Sequence, residues 1–126
     1  MNRMIEYHDN LVEIRRQAIQ ADIDSRKSAA ERNRLGQFAT PNGLAVDMAR
    51  YVESLIDRPE SGIRFADPSI GSGSFFSAAL AVFGAGQIES AIGVELDPTF
   101  ADAARDLWGE SGLQVVRGDF THVGYW

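Results

Sequence analysis

Apolar residues change their rhythm part-way along this chain. Up to about Asn33 they recur at three- and four-residue steps: Met4, Leu11, Ile14, Ala18 and Ala21 make a thin stripe, and from about Glu6 onward neither proline nor glycine interrupts it. This spacing predicts one long amphipathic helix over about 6–33, with a polar, basic end (RKSAAERNR) and Gly36 as its stop. A second helix should follow, with Thr40 as N-cap and Pro41 as its first helical residue. Its buried face would be Ala45, Met48, Ala49, Val52, Leu55 and Ile56, and it should end near Asp57, before the breakers Pro59 and Gly62.

Beyond Gly62 the apolar residues come in short runs separated by helical patterns. Strands are predicted at Ile63 to Ala66, Ala91 to Glu95 and Leu113 to Val116, with helices at Phe75 to Phe83 and Thr99 to Trp108. Strands alternating with helices imply right-handed crossovers, a parallel sheet and helices on its faces. The expected fold is thus α/β, half of a doubly wound domain with about three parallel strands. A helical segment, 1–35, precedes this body at 36–126.

Composition removes several function classes. The chain has 126 residues, no cysteine and two histidines, so thiolate-zinc and disulfide frameworks are excluded and a metal site is not expected. No uncharged run is long enough to span a bilayer and the N-terminus lacks a signal-peptide core, so a cytoplasmic protein with no membrane partner is expected. The formal charge of -6 is concentrated after Gly36, and an acidic body repels phosphate backbones. Strong nucleic-acid binding by this chain alone is therefore not expected, and the basic end of the first helix reads as a solvated helix terminus.

The chemistry-bearing stretch is DPSIGSGSFF, Asp67 to Phe76, where the first strand meets a helix. In open α/β sheets ligands bind beyond the carboxyl ends of the strands. Gly71 and Gly73 would let the backbone pass close beneath such a ligand. Glu95 ends the second strand 22 residues after Gly73, the spacing of a carboxylate that accepts both ribose hydroxyls of an adenosine. Two ligand classes share this arrangement, nicotinamide dinucleotides and S-adenosylmethionine. A dinucleotide site wants a third glycine where Phe76 stands, and Asp67 would repel a pyrophosphate but suit an ammonium group, so the methyl donor fits better.

With GQFATP ahead of DPSIGSGSFF, and GVELDP and GDF after it, the stretch from about Leu35 to Phe120 resembles the amino-terminal, cofactor-binding half of the adenine-N6 DNA methyltransferases. The resemblance implies a Rossmann-like methyltransferase fold and S-adenosylmethionine as cofactor. It places Phe38, Thr40 and Pro41 at the methionine end, with Thr40 on the carboxylate, and Asp67, Ser69, Gly71 and Gly73 around the methionine and ribose. It puts Glu95 on the ribose hydroxyls, Leu96 on the adenine ring, and Asp119 and Phe120 at the adenine amino group and ring.

In that family the chemistry depends on an asparagine or aspartate followed by two prolines and an aromatic residue. The four prolines here, Pro41, Pro59, Pro68 and Pro98, are never adjacent, and no target-recognition region is recognisable. No catalytic residue is therefore assigned. The expectation is a cofactor-binding portion of a restriction-modification type enzyme, inactive alone and touching DNA only as part of the intact enzyme. One sheet edge should be exposed and covered by the N-terminal helix, a second copy or a second chain. A fragment of an NAD-dependent oxidoreductase and a non-catalytic interaction module are the rival readings.

Overall fold

The computed structural model describes residues 2–57 and 60–122. Three strands, β1 (Ile63–Asp67), β2 (Ile88–Glu95) and β3 (Leu113–Arg117), form a parallel sheet in the order β1-β2-β3. Parallel pairing demands crossovers, and two helices supply them: α4 (Ser74–Phe83) between β1 and β2, and α5 (Pro98–Trp108) between β2 and β3. Asp67 pairs with Gly93, so β2 continues to Glu95 beyond the end of β1, and Glu95 pairs in turn with Arg117. The stagger sets the Glu95 carboxylate beside the turn that follows Asp67.

α4 is buried almost all round, through Phe76, Ala78, Ala79, Leu80 and Phe83 and also Ser74 and Ser77. Its small residues let neighbouring elements approach closely on several sides, as a helix without a solvent face requires. Phe76 forms the centre of the core. Its ring meets Phe65 of β1 edge-on at 5.4 Å and Trp108 of α5 at 5.6 Å.

The N-terminal region departs from the expected single helix. α1 (Asn2–Ser25) and α2 (Ala29–Leu35) are separated by a turn at Arg26–Ser28. Ser28 caps α2, its hydroxyl accepting the Glu31 N–H at 3.1 Å, and Gly36 closes it in the left-handed region at φ 66°. This is the Ser-x-x-Glu capping signature, written in SAAE within a stretch otherwise helical in pattern.

The buried face of α1 also differs from the apolar stripe. Val12, Arg16, Gln20 and Ile23 are buried and Ile19 packs on the core, whereas Leu11, Ile14, Ala18 and Ala21 are exposed. The side chain of Met4 lies outside the described residues. The reason is polar: the inward face carries an arginine that reaches Ser72 of the glycine turn and a glutamine that bonds Asp24 and borders the cavity, and an apolar period cannot register them. α1 packs on α4 and α5.

α3 (Asn42–Leu55) lies against α4. Its N-cap is Pro41, with no side-chain cap, where the sequence favoured Thr40; the Thr40 carbonyl instead accepts the Ser74 hydroxyl at 2.6 Å. Only Ala45 of the expected face is fully buried, and Ala49 is partly so. Met48, Val52, Leu55 and Ile56 are exposed, as are Leu44 and Tyr51. Pro59 and Trp126 lie outside the described residues.

Candidate cofactor pocket

Three loops fan out from the carboxyl ends of the strands and enclose a cavity of about 700 Å³. The floor is the Asp67–Ser72 turn, one wall is Glu95–Pro98, and Gly118–Phe120 stands opposite. The Gly36–Thr40 segment and Gln20 of α1 close the remaining side. Phe38, Thr40, Asp67, Ser69, Gly71, Glu95, Leu96, Asp119 and Phe120, all singled out in the sequence, line this one cavity. Two others do not. Pro41 lines a shallower groove between α1 and α2, and Gly73 is packed into the core.

The turn is built for close approach. Gly71 has φ 58°, and nothing lies within 4 Å of where its Cβ would stand, which leaves its backbone open to the cavity. Gly73 serves the core instead: it caps α4 at φ 93°, and a Cβ there would lie 2.3 Å from Nε1 of Trp108. Gly93 has a comparable task, since a Cβ would lie 2.7 Å from the Ile70 side chain, which rests on β2.

Backbone donors hold the Glu95 carboxylate in place. Oε1 accepts the Gly71 N–H and Oε2 the Asp97 N–H, each at 2.9 Å. A carboxylate has about four acceptor positions, so each oxygen keeps capacity for a ligand hydroxyl. Among the described residues, Asp67 accepts the Ser69 N–H, at 2.9 Å. Burial pushes its carboxyl above the ordinary carboxylate range, and the Ser69 bond offsets part of that rise. A carboxylate so placed gains from a cationic group in the cavity. Asp67→Asn should raise the melting temperature of the free protein while weakening binding of an ammonium-bearing ligand by roughly tenfold or more. Thermal denaturation and calorimetry on the same preparation check both signs.

Asp119 is engaged locally. Its Oδ1 accepts the Thr121 hydroxyl at 2.6 Å and the Thr121 N–H at 2.9 Å, capping a short turn over Phe120–His122. The Thr121 bonds hold its carboxyl below the usual range.

Several residues at the site carry no weight in the motif reading. The buried guanidinium of Arg16 bridges Glu13 to the hydroxyl of Ser72, at 3.1 Å. Trp108 donates its indole N–H to the Ser72 carbonyl at 2.9 Å. Ser72 is thereby held from both sides, by α1 and α5. Asp97 caps α5 through Thr99 and also accepts from Lys27 and Gln37. Burial alone would raise its carboxyl, but the bonds from Lys27, Gln37 and Thr99 bring it down to about 2. The signal for Gln37 lay in the GQF of GQFATP; Arg16 and Lys27 left none, because they act across 56 and 70 residues of sequence.

Four carboxylates, Asp67, Glu95, Asp97 and Asp119, face or border the cavity, and among the described lining residues there is no lysine, arginine or histidine. No group of three or more potential metal ligands is clustered among the described residues, and no described helix is long and apolar enough to cross a membrane.

No family model matches the chain. Among solved structures it is similar to a protein of Pyrococcus horikoshii described as an RNA methyltransferase, with a TM-score of 0.54 and 28% identity over 66% of this chain and 40% of that one. It is also similar to a protein of Listeria monocytogenes described as a class I S-adenosylmethionine-dependent methyltransferase, with a TM-score of 0.57 and 15% identity over 88% of this chain and 36% of that one. The fold is the Rossmann-like fold of class I methyltransferases. The chain spans about two-fifths of the length of the two structures.

Proposed function

We propose that this chain is the S-adenosylmethionine-binding part of a polynucleotide methyltransferase, and that the complete enzyme methylates the N6 amino group of adenine in DNA. The observation that carries the cofactor is the charge of the cavity. Asp67, Glu95 and Asp119, with no lysine, arginine or histidine among the described lining residues and Asp97 already paired with Lys27, repel the pyrophosphate of a dinucleotide, whereas the sulfonium and ammonium of the methyl donor are both positive. Glu95 would take the ribose hydroxyls, Asp67 the ammonium, and Thr40 and Phe38 the amino-acid end. When bound, the cofactor supplies an electrophilic methyl group.

Adenine N6 and DNA rest on the order of GQFATP, DPSIGSGSFF, GVELDP and GDF. A second reading, RNA as the target, is favoured by the similarity to the Pyrococcus horikoshii protein. In either case the amino group must lose its proton as it accepts the methyl group, and the family's asparagine- or aspartate-proline-proline motif, which would orient it, is not in this sequence. We therefore assign the target-binding half of the site to another polypeptide segment. The free edge of β1 and the exposed Leu44, Met48, Tyr51 and Leu55 of α3 are the surface it would join.

Calorimetric titration with S-adenosylmethionine, S-adenosylhomocysteine and NAD tests the cofactor. Saturable binding of the first two alone is expected; binding of NAD alone, or of none by a folded chain, would remove the proposal.

A further inference from the structure

The Gly36–Thr40 segment crosses one side of the cavity without helix or strand structure of its own, apart from the left-handed cap at Gly36. Two polar attachments tie it to the body. At one end the Thr40 carbonyl accepts the Ser74 hydroxyl. At the other, Gln37 accepts from Lys27 Nζ at 2.6 Å and donates to Asp97 Oδ2 at 2.6 Å, while Lys27 also pairs directly with Asp97. This three-residue knot is largely sheltered, and the Phe100 ring lies 5.0 Å from the Lys27 ammonium.

The knot extends inward. Asp97 donates its backbone N–H to Glu95, and Glu95 accepts the Gly71 N–H, so one hydrogen-bonded chain joins GQFATP, the end of β2 and the glycine turn. We propose that Lys27 and Gln37 are positioning residues that clasp the Gly36–Thr40 segment over the bound ligand, and that release of this clasp sets how fast the ligand leaves. The inference rests on the cavity being the cofactor site. It makes the α1–α2 turn, which the sequence set apart from the α/β body, a working part of the pocket. Lys27 does not line the cavity, so its effect passes through Gln37 and Asp97.

A clasp predicts a kinetic signature distinct from that of a brace. Release of radiolabelled S-adenosylhomocysteine from the full chain would be followed by rapid filtration after adding excess unlabelled ligand, with association measured in parallel. Lys27→Met and Gln37→Ala are each expected to raise the release rate by at least about fivefold and leave association within about twofold. Lys27→Arg, which keeps the cation and its donors, should restore slow release. Arg26→Ala, whose ion pair with Asp22 is on the exposed surface, should behave as wild type. Unchanged release in Lys27→Met and Gln37→Ala would overturn the clasp. Loss of affinity through slower association, with a lowered melting temperature, would also overturn it and make Lys27 a structural brace. Failure of the wild-type chain to bind S-adenosylhomocysteine would instead sink the cofactor assignment itself.

Discussion

Glu95→Ala is expected to weaken S-adenosylhomocysteine binding by about 2 to 4 kcal/mol, roughly 30- to 1,000-fold, from the loss of the two charge-assisted hydrogen bonds that the proposed ribose contact would make. The side chain has a structural role as well. Its two oxygens also receive the Gly71 and Asp97 N–H groups, so alanine removes the acceptor that fixes the glycine turn against β2. Glu95→Gln separates the two roles. The amide oxygen can still accept one backbone N–H, but the other position becomes a donor facing the Gly71 or the Asp97 N–H and can no longer accept a ligand hydroxyl. The glutamine variant should therefore lose most of the affinity while keeping more stability than alanine. Calorimetry for binding and chemical denaturation for stability check the pair; equal affinity in wild type and Glu95→Ala would take Glu95 out of the site.

Gly73→Ala is expected to destabilise the free protein by about 2 to 5 kcal/mol, combining a left-handed backbone with overpacking of a closed core. The methyl group would stand 2.3 Å from Nε1 and 2.6 Å from Cδ1 of Trp108, which is fully buried and has no room to turn. Moving the indole would also break its bond to the Ser72 carbonyl, leaving two buried polar groups unpaired. Gly71→Ala provides the contrast. Its φ of 58° imposes a similar backbone cost, but the side chain would project into open space and meet nothing in the free protein. Gly71→Ala should cost about 1 to 2 kcal/mol of stability. Urea denaturation of both variants gives the comparison; equal losses would mean that Trp108 yields to the added methyl group.

The α/β body was legible because its signals are local. Each strand is a short apolar run, Asp97-Pro98 writes the start of α5, and the two glycines mark the turn. The observed strand and helix ends lie within a few residues of those expected, the largest change being the start of β2 at Ile88. The cavity was legible for the same reason: its floor and walls follow directly from strand ends. The N-terminal region was less so. Arg16 and Gln20 of α1 face inward toward Ser72 and the cavity wall, which are distant in sequence and so invisible to a helical period. The apolar face of α3 points the opposite lesson. Leu44, Met48 and Leu55 have the spacing of a core stripe but remain exposed, because α4 receives the side that carries Ala45 and Ala49.

Trp108 has a spectroscopic consequence. The chain has two tryptophans, and replacing Trp126 by phenylalanine leaves the indole of Trp108 as the sole long-wavelength emitter. That indole is shielded from solvent, stands edge-on to Phe76 and holds the Ser72 carbonyl in the middle of the glycine turn. Its emission should be blue-shifted, and a ligand that shifts Ser72 changes the indole hydrogen bond and with it the quantum yield. The core of this protein thus carries its own optical gauge of pocket occupancy, read without a dye, a label or a turnover assay.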